Sequence, residues 1–240
     1  MKLLLIGYGK MGKAIDRLAT EKGHEIVGRI DDANPELLET IDANLIDVAI
    51  EFSRPEAALK NITTCLNRGI KIISGTTGWL DNFEDVKRLC ESKKGTFLYA
   101  SNFSLGVNLF FALNKMLSKL MAGHEHYEPS MVEIHHVQKL DAPSGTAITL
   151  AEGLLEHSKK KNQWVNKNSN QENQLVIISE REGTVPGTHS VTYRSQMDEI
   201  EIKHTAHTRD SFALGAILVA EWIDKKSGFL TMEDFIKIGD

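Results

Sequence analysis

A chain of 240 residues, 41% hydrophobic and 25% charged, has enough apolar material for one large or two modest globular domains and lacks the bias of a disordered or fibrous protein. Its net charge of −5 gives no electrostatic case for nucleic acid, and no basic run suggests a membrane surface. The apolar opening Leu3–Ile6 stops at Gly7, too short for a membrane span or signal-peptide core, and Cys65 and Cys90 stand singly without metal-ligand spacing, which predicts idle thiols in a reducing cytoplasm.

The first segment predicts a strand over 2–6, an amphipathic helix running to about Lys22 and a second strand over Glu25–Ile30. Between the first two stands Gly7-Tyr8-Gly9-Lys10-Met11-Gly12, a G-x-G-x-x-G string, and Asp31 follows nineteen residues after its last glycine. Gly7 permits a tight turn, Gly9 lets a pyrophosphate approach the backbone, and Gly12 allows helix-on-strand contact. Asp31 is placed to accept from ribose hydroxyls. This predicts a dinucleotide site.

Alternation then continues: a strand over Leu45–Phe52, a helix over Pro55–Asn67, a strand over Ile70–Ser74, a helix over Asp81–Ser92 and a strand over Thr96–Ala100. Such an order implies a doubly wound parallel sheet of Rossmann type. Ligands of these sheets bind outside the carboxyl ends of the strands. The small polar loops Gly75-Thr76-Thr77-Gly78 and Ala100-Ser101-Asn102-Phe103-Ser104 are therefore expected to border the cofactor.

A long apolar-periodic helix over Leu105–Leu120 leads into a second region. There a strand over Val132–Gln138, a turn forced by Pro143 and Gly145, and a helix over Ala147–Leu155 enclose the most concentrated chemistry of the chain: His135-His136-Val137-Gln138-Lys139-Leu140-Asp141-Ala142-Pro143-Ser144-Gly145-Thr146. Ser144 fits an N-cap, and the free amides of a helix start attract carboxylate or phosphate. In a regular strand His135 and His136 point to opposite faces, so one enters the site and the other lies at its rim unless the strand bends.

The polar stretch His157–Gln174 reads as a solvated loop, with Trp164 and Val165 its large apolar residues. Strands over Leu175–Ser179, Thr188–Arg194 and Glu199–Thr205 predict a mainly antiparallel sheet, with Gly183–Gly187 a loop able to move. A helix over Ser211–Lys225 and a capped short helix over Thr231–Ile238 return the chain to the first domain. The expected division is 1–104 with 212–240 for dinucleotide binding, and 105–211 as an α+β domain for substrate binding and oligomerisation. His204 and His207 would need a third ligand that the sequence does not indicate, so no metal is assigned. Arg209 suits a substrate carboxylate and equally a structural ion pair.

Together, the His135–Thr146 string, Gly7 to Gly12, Phe52-Ser53-Arg54-Pro55, Gly75 to Gly78 and Ser101-Asn-Phe-Ser-Leu-Gly-Val-Asn108 resemble the 4-hydroxy-tetrahydrodipicolinate reductase family, in order along nearly the whole chain. The resemblance implies an enzyme that reduces the product of dihydrodipicolinate synthase to tetrahydrodipicolinate with NADH or NADPH, on the route to diaminopimelate and lysine. It implies that His135 is the acid/base residue and Lys139 the proton donor, and that His136, Ser144, Gly145 and Thr146 contact a dicarboxylate substrate. Cofactor contacts fall on Gly7, Tyr8, Gly9, Lys10, Met11, Gly12, Asp31, Gly75, Thr76, Thr77, Ala100, Ser101, Asn102 and Phe103. The family usually forms a homotetramer through its second domain. The residue chemistry agrees, since two anions need cationic or amide partners and imidazole suits proton transfer near neutrality.

The glycine loop is one residue shorter than in many members and lacks their arginine. Asp32 stands where an arginine often receives a 2′-phosphate. Two adjacent carboxylates predict a preference for NADH, with NADPH also usable if Lys10, Lys13 or Arg29 offsets them. Two alternatives share part of the pattern. An amino-acid or aspartate dehydrogenase would have a similar nucleotide half without the His-His-x-x-Lys string. A non-catalytic NAD-sensing protein would keep Gly7 to Gly12 and have no use for a lysine beside two histidines.

Overall fold

In chain order the elements begin β1 (Lys2–Ile6), α1 (Lys10–Glu21), β2 (Glu25–Ile30), α2 (Leu37–Thr40), β3 (Val48–Glu51), α3 (Pro55–Asn67), β4 (Ile72–Ser74), α4 (Phe83–Ser92), β5 (Thr96–Tyr99) and α5 (Leu105–Met121). They continue with β6 (Glu128–His135), α6 (Gly145–Leu155), β7 (Gln163–Val165), β8 (Gln174–Arg181), β9 (Gly187–Arg194) and β10 (Glu199–Ala206), and close with α7 (Asp210–Ile223), β11 (Gly228–Leu230) and α8 (Met232–Ile236). The structure is a computed structural model and describes residues 1–208 and 210–237. Arg209, and Ile238 of the last expected helix, lie outside the described residues. The chain forms two compact units, Met1–Leu105 with Asp210–Asp240, and Gly106–Arg209.

The first unit is a six-stranded sheet in the order β11-β5-β4-β3-β1-β2, every neighbouring pair parallel. Alternation within β1 explains its double winding, because successive side chains point to opposite faces. Leu3 and Leu5 join Ile15 and Ala19 of α1 and Ala216 and Ile217 of α7 on one face. Leu4 and Ile6 join Ile62 and Leu66 of α3 and Val86 of α4 on the other. All are buried, each large aliphatic side chain contributing about 1.5–3 kcal/mol. The strand order reverses between β1 and β3, and that switch point opens a crevice at their carboxyl ends.

Several bounds differ from the sequence expectation: α2 was not expected, β4 starts at Ile72 and α4 at Phe83. The strand expected from Leu45 starts only at Val48, because Asp42 caps a 3₁₀ turn at Ala43–Leu45 by accepting from Asn44 N at 3.0 Å. At the far edge β11 pairs with β5; three residues are too few to carry a periodic signal.

The second unit is a five-stranded sheet in the order β10-β9-β6-β8-β7. Most of its residue pairs are antiparallel, in β10–β9 and β9–β6, while β6–β8 and β8–β7 are parallel. The parallel part follows from connection length, since the chain leaves β6 through α6 and such a crossover brings the next strand back in the same direction. The polar stretch is not all loop. Its Gln163–Val165 pair with Gln174–Val176, and Trp164 packs on the core formed by Leu150 and Leu154 of α6 with Met131, Leu175, Ile177 and Val191. Among the described residues no helix is long and apolar enough to cross a membrane.

Candidate active site

In the first unit β1 ends at a turn that only glycine makes cheaply. Gly7 has φ of 95°, and a Cβ there would lie 2.0 Å from the Phe52 carbonyl oxygen. A Cβ on Gly12 would meet the Gly7 oxygen at 2.1 Å, whereas the position above Gly9 is open. Gly9 is the N-cap of α1 and no side chain caps it, so the helix start faces open space. Beside it lies an open cleft of about 490 Å³, lined by Gly7, Tyr8, Gly9, Asp31, Asp32, Phe52, Ser53 and Arg54 among others. The glycine cradle and the acid at the end of β2 fit a dinucleotide.

The charges around this cleft are ordered. Asp31 accepts from Ala33 N at 2.8 Å through Oδ1, and its own amide donates to Asn34 Oδ1 at 2.8 Å, which fixes the carboxylate at the tip of β2. Asp32 is paired with the Arg54 guanidinium at 2.7 Å, both side chains exposed. Arg29 donates to both oxygens of Asp16 at 2.5 and 3.0 Å, and the Tyr8 hydroxyl donates to the same carboxylate at 2.5 Å. The Arg29 hydrogen bond holds the Asp16 carboxyl below its usual range against the opposing effect of burial. Two of the three guanidinium nitrogens of Arg29 are thereby engaged by Asp16.

Under the cleft, Glu51 is fully buried at the end of β3. It accepts from Ser53 N at 3.0 Å, Ser74 Oγ at 2.5 Å, Thr76 Oγ1 at 2.9 Å and the Ser53 hydroxyl. Phe52 covers Gly75, where a Cβ would lie 2.1 Å from its ring, and stacks edge-on with Phe103 at 5.5 Å. The loops after β3, β4 and β5 are thus tied together along one sheet edge. Thr76 and Phe103 are buried, while Thr77 and Ser101 are exposed.

In the second unit the reactive string is built around a buried carboxylate. Along β6, Met131, Glu133 and His135 face inward. Across the sheet Glu133 stands opposite His189 of β9 on one side and Ser179 of β8 on the other. Glu133 accepts from Ser179 Oγ at 2.6 Å and from Ser144 N at 3.1 Å. Its Oε2 is 3.4 Å from His135 Nε2 and 3.6 Å from His189 Nε2, and the two Nε2 atoms lie 3.3 Å apart. Burial acts to raise the Glu133 pKa, but the hydrogen bonds of His135, His189, Ser144 and Ser179 prevail and hold it well below the usual carboxylate range. Burial shifts His189 the other way, lowering its pKa and favouring neutral imidazole. On the remote side of the His135 ring, Nδ1 lies 3.2 Å from the Pro186 carbonyl.

β6 ends at His135, so His136 opens the following turn, in which Lys139 N donates to His136 O at 3.0 Å. The end of the strand thus resolves the opposed directions of the two histidines: His135 is buried and His136 half-buried. Lys139 Nζ donates to both Asp141 oxygens at 2.8 Å. Arg181 clamps the turn by donating to Lys139 O at 3.1 Å and Asp141 O at 2.6 Å. Ser144 caps α6, its hydroxyl accepting from Ala147 N at 3.1 Å. Gly145 is exposed with open space above it and Thr146 is half-buried, so the start of this helix is accessible. His204 stands opposite His189 in the sheet and stacks on Phe110 with ring centroids 6.0 Å apart.

Sequence reasoning assigned no role to Glu51, Arg54, Glu133, Ser179, Arg181 or His189. Two of them left a signal, a charged residue on the inward face of a strand: Glu51 closes an apolar run, and Glu133 sits two residues before His135. His189 and Ser179 come into register only through sheet pairing, which one sequence does not reveal.

The comparisons with known proteins divide along the same lines. Residues 1–103 match the family model described as dihydrodipicolinate reductase, N-terminus, and residues 106–236 that described as dihydrodipicolinate reductase, C-terminus. The chain is 49% identical over 238 residues to a 4-hydroxy-tetrahydrodipicolinate reductase of Christiangramia forsetii, covering 98% of each chain. Among solved structures it is similar to a dipicolinate-bound dihydrodipicolinate reductase from Paenisporosarcina sp. TG-14, with TM-score 0.80 and 22% identity over 98% of this chain and 99% of that one. An aspartate dehydrogenase from Thermotoga maritima matches with TM-score 0.50 and 13% identity, over 94% of this chain and 97% of that one. The last two likenesses concern the fold alone.

Proposed function

Because the chain belongs to the 4-hydroxy-tetrahydrodipicolinate reductase family, we propose that it catalyses the NAD(P)H-dependent reduction of 4-hydroxy-tetrahydrodipicolinate, by way of dihydrodipicolinate, to tetrahydrodipicolinate in diaminopimelate and lysine biosynthesis. The observation that carries this reading is the coexistence, in one chain, of the Gly7–Gly12 cradle with Asp31 and of the accessible α6 start beside Lys139. A binding protein would need only the first.

The roles follow from the donors present. The Gly145 and Thr146 amides, with Lys139 and His136, bind the two carboxylates of the substrate, since helix-start N–H groups and an ammonium both favour anions. Bound nicotinamide supplies the hydride. Lys139 donates the balancing proton, and for this it must release only the exposed Asp141. His135 has both nitrogens engaged within the protein, by Pro186 on one side and by Glu133 and His189 on the other. Its acid/base role requires one of those contacts to open.

For the cofactor we propose Gly7 to Gly12 at the pyrophosphate, Asp31 at the ribose, and the Gly75–Thr77 and Ala100–Phe103 loops along the nicotinamide half. NADH is preferred because Asp31 stands where a 2′-phosphate would lie. NADPH remains usable through Arg54, which is exposed and needs only to exchange Asp32 for phosphate. We also assign the enzyme to the cytoplasm and to a homotetramer built through the second unit. An exposed apolar stripe at helical spacing on α5, Leu109, Leu113, Met116 and Leu120, supports the assembly.

The test is product identity. Incubation with synthase-generated substrate and NADH deuterated at nicotinamide C4 should place one deuterium in tetrahydrodipicolinate. Consumption of NADH without labelled product would exclude the reading.

A further inference from the structure

We propose that Glu51 is a positioning residue for the cofactor: it sets the loops after β3 and β4 in register with each other, and through them the nicotinamide half of the site. Its side chain is fully buried at the carboxyl end of β3, so a donor aimed at it has no water to turn to instead. Three donors converge on Oε1. Ser53 N lies at 3.0 Å and Thr76 Oγ1 at 2.9 Å, and the Ser53 hydroxyl is the third. Ser74 Oγ reaches Oε2 at 2.5 Å. The two loops are also joined directly, since Ser53 N donates to Thr76 Oγ1 at 2.8 Å. Glu51, Ser53 and Thr76 therefore close a ring across two strand ends.

The ring separates the work of the two threonines. Thr76 Oγ1 donates to Glu51 and accepts from Ser53, and the residue is 6% exposed, so its hydroxyl is a strut under the loop and not a cofactor ligand. Trp79 Nε1 holds its carbonyl at 2.7 Å. Thr77 is exposed, and the side-chain contact of this loop with the cofactor falls to it. On the other arm, Ser53 lines the cleft beside Asn61, whose Nδ2 donates to Ser53 Oγ at 3.2 Å. All the donors that meet Glu51 are uncharged, so what the ring needs is an acceptor. Glutamine can replace it, because its oxygen can take the three donors of Oε1 and its amide can donate to Ser74 Oγ. The inference rests on the reading of the first unit as a nicotinamide dinucleotide site.

The test is equilibrium binding to the full chain of two probes, NADH followed by nicotinamide fluorescence and ADP, which lacks the nicotinamide riboside, by calorimetry. Thr76→Val removes one link of the ring and should raise the Kd for NADH roughly 2- to 12-fold, with that for ADP changed less than about twofold. Thr76→Ser, which keeps the hydroxyl, should restore binding. Glu51→Met leaves several donors unpaired and should weaken NADH by about tenfold or more, whereas Glu51→Gln should stay within about threefold of wild type. If Glu51→Met does not fold, the two Thr76 variants and Glu51→Gln carry the test. NADH affinity unchanged in folded Thr76→Val or Glu51→Met, equal losses for NADH and ADP, or a tenfold loss in Glu51→Gln would overturn the inference and leave the reading of the site standing. A wild-type chain that binds no NADH would overturn both.

Discussion

Replacing Asp31 by serine should invert the cofactor preference, and the size of the change can be worked from the cleft. Asp31 uses Oδ1 to accept from Ala33 N at 2.8 Å and keeps Oδ2 for a ribose hydroxyl. A hydrogen bond to a charged group contributes about 1.5–3 kcal/mol, so NADH should lose roughly 10- to 150-fold in kcat/KM. Against NADPH the carboxylate faces a dianion. Exposed unit charges about 4 Å apart repel by about 1 kcal/mol in water, hence about 2 kcal/mol here before salt screening. Serine should therefore gain about tenfold with NADPH, and the ratio of efficiencies should move by about 10²–10³. Asp32 enters differently, because Arg54 at 2.7 Å already offsets most of its charge. Asp32→Arg adds a cation and releases Arg54, so it should raise NADPH efficiency with little effect on NADH. Steady-state kinetics with both cofactors at low and physiological salt would measure this. A ratio changed less than twofold in Asp31→Ser, or a wild type that favours NADPH by tenfold or more, would refute the reasoning.

Three further outcomes are expected. His135→Gln should lower kcat by about 10²–10⁴-fold with little change in KM, and near wild-type turnover would remove His135 from catalysis. Lys139→Ala should lose in both kcat and KM and should weaken a dicarboxylate inhibitor; unchanged inhibitor affinity would argue against the carboxylate contact. The pKa of Asp16, lowered chiefly by Arg29, means that its contribution to stability is present above the unfolded value of about 3.9 and is lost as pH falls through the folded one. Asp16→Asn should thus be less stable than wild type by about 1–3 kcal/mol at pH 7, with the gap closing in acid; a pH-independent gap in denaturation midpoints would contradict this.

What the sequence revealed depended on whether the cause was local. The helix over Pro55–Asn67 is found with those bounds because proline starts it and an apolar stripe sustains it. Ser144 caps α6, and Thr231 closes a capping box with Asp234, since caps are written within four residues. Gly7 to Gly12 predicted its own turn. Non-local features escaped: β7 and β11 have three residues each and exist through the strands they pair with. Arg54 was legible only as part of a motif, whereas its partner Asp32 lies 22 residues earlier and was read as a charge for Lys10, Lys13 or Arg29 to offset. The Glu133 network draws on β6, β8, β9 and the start of α6; the sequence marks Glu133, two residues before His135, but not the partners that sheet pairing brings to it.

The measurement nearest the central claim is a side-by-side steady-state assay of this chain following nicotinamide absorbance. One arm offers freshly synthase-generated 4-hydroxy-tetrahydrodipicolinate with NADH and with NADPH; the other offers aspartate and other amino acids with NAD⁺. Rapid NADH oxidation is expected in the first arm, slower oxidation with NADPH, and none of the reverse chemistry in the second. Turnover of an amino acid without reduction of the synthase product would contradict that claim.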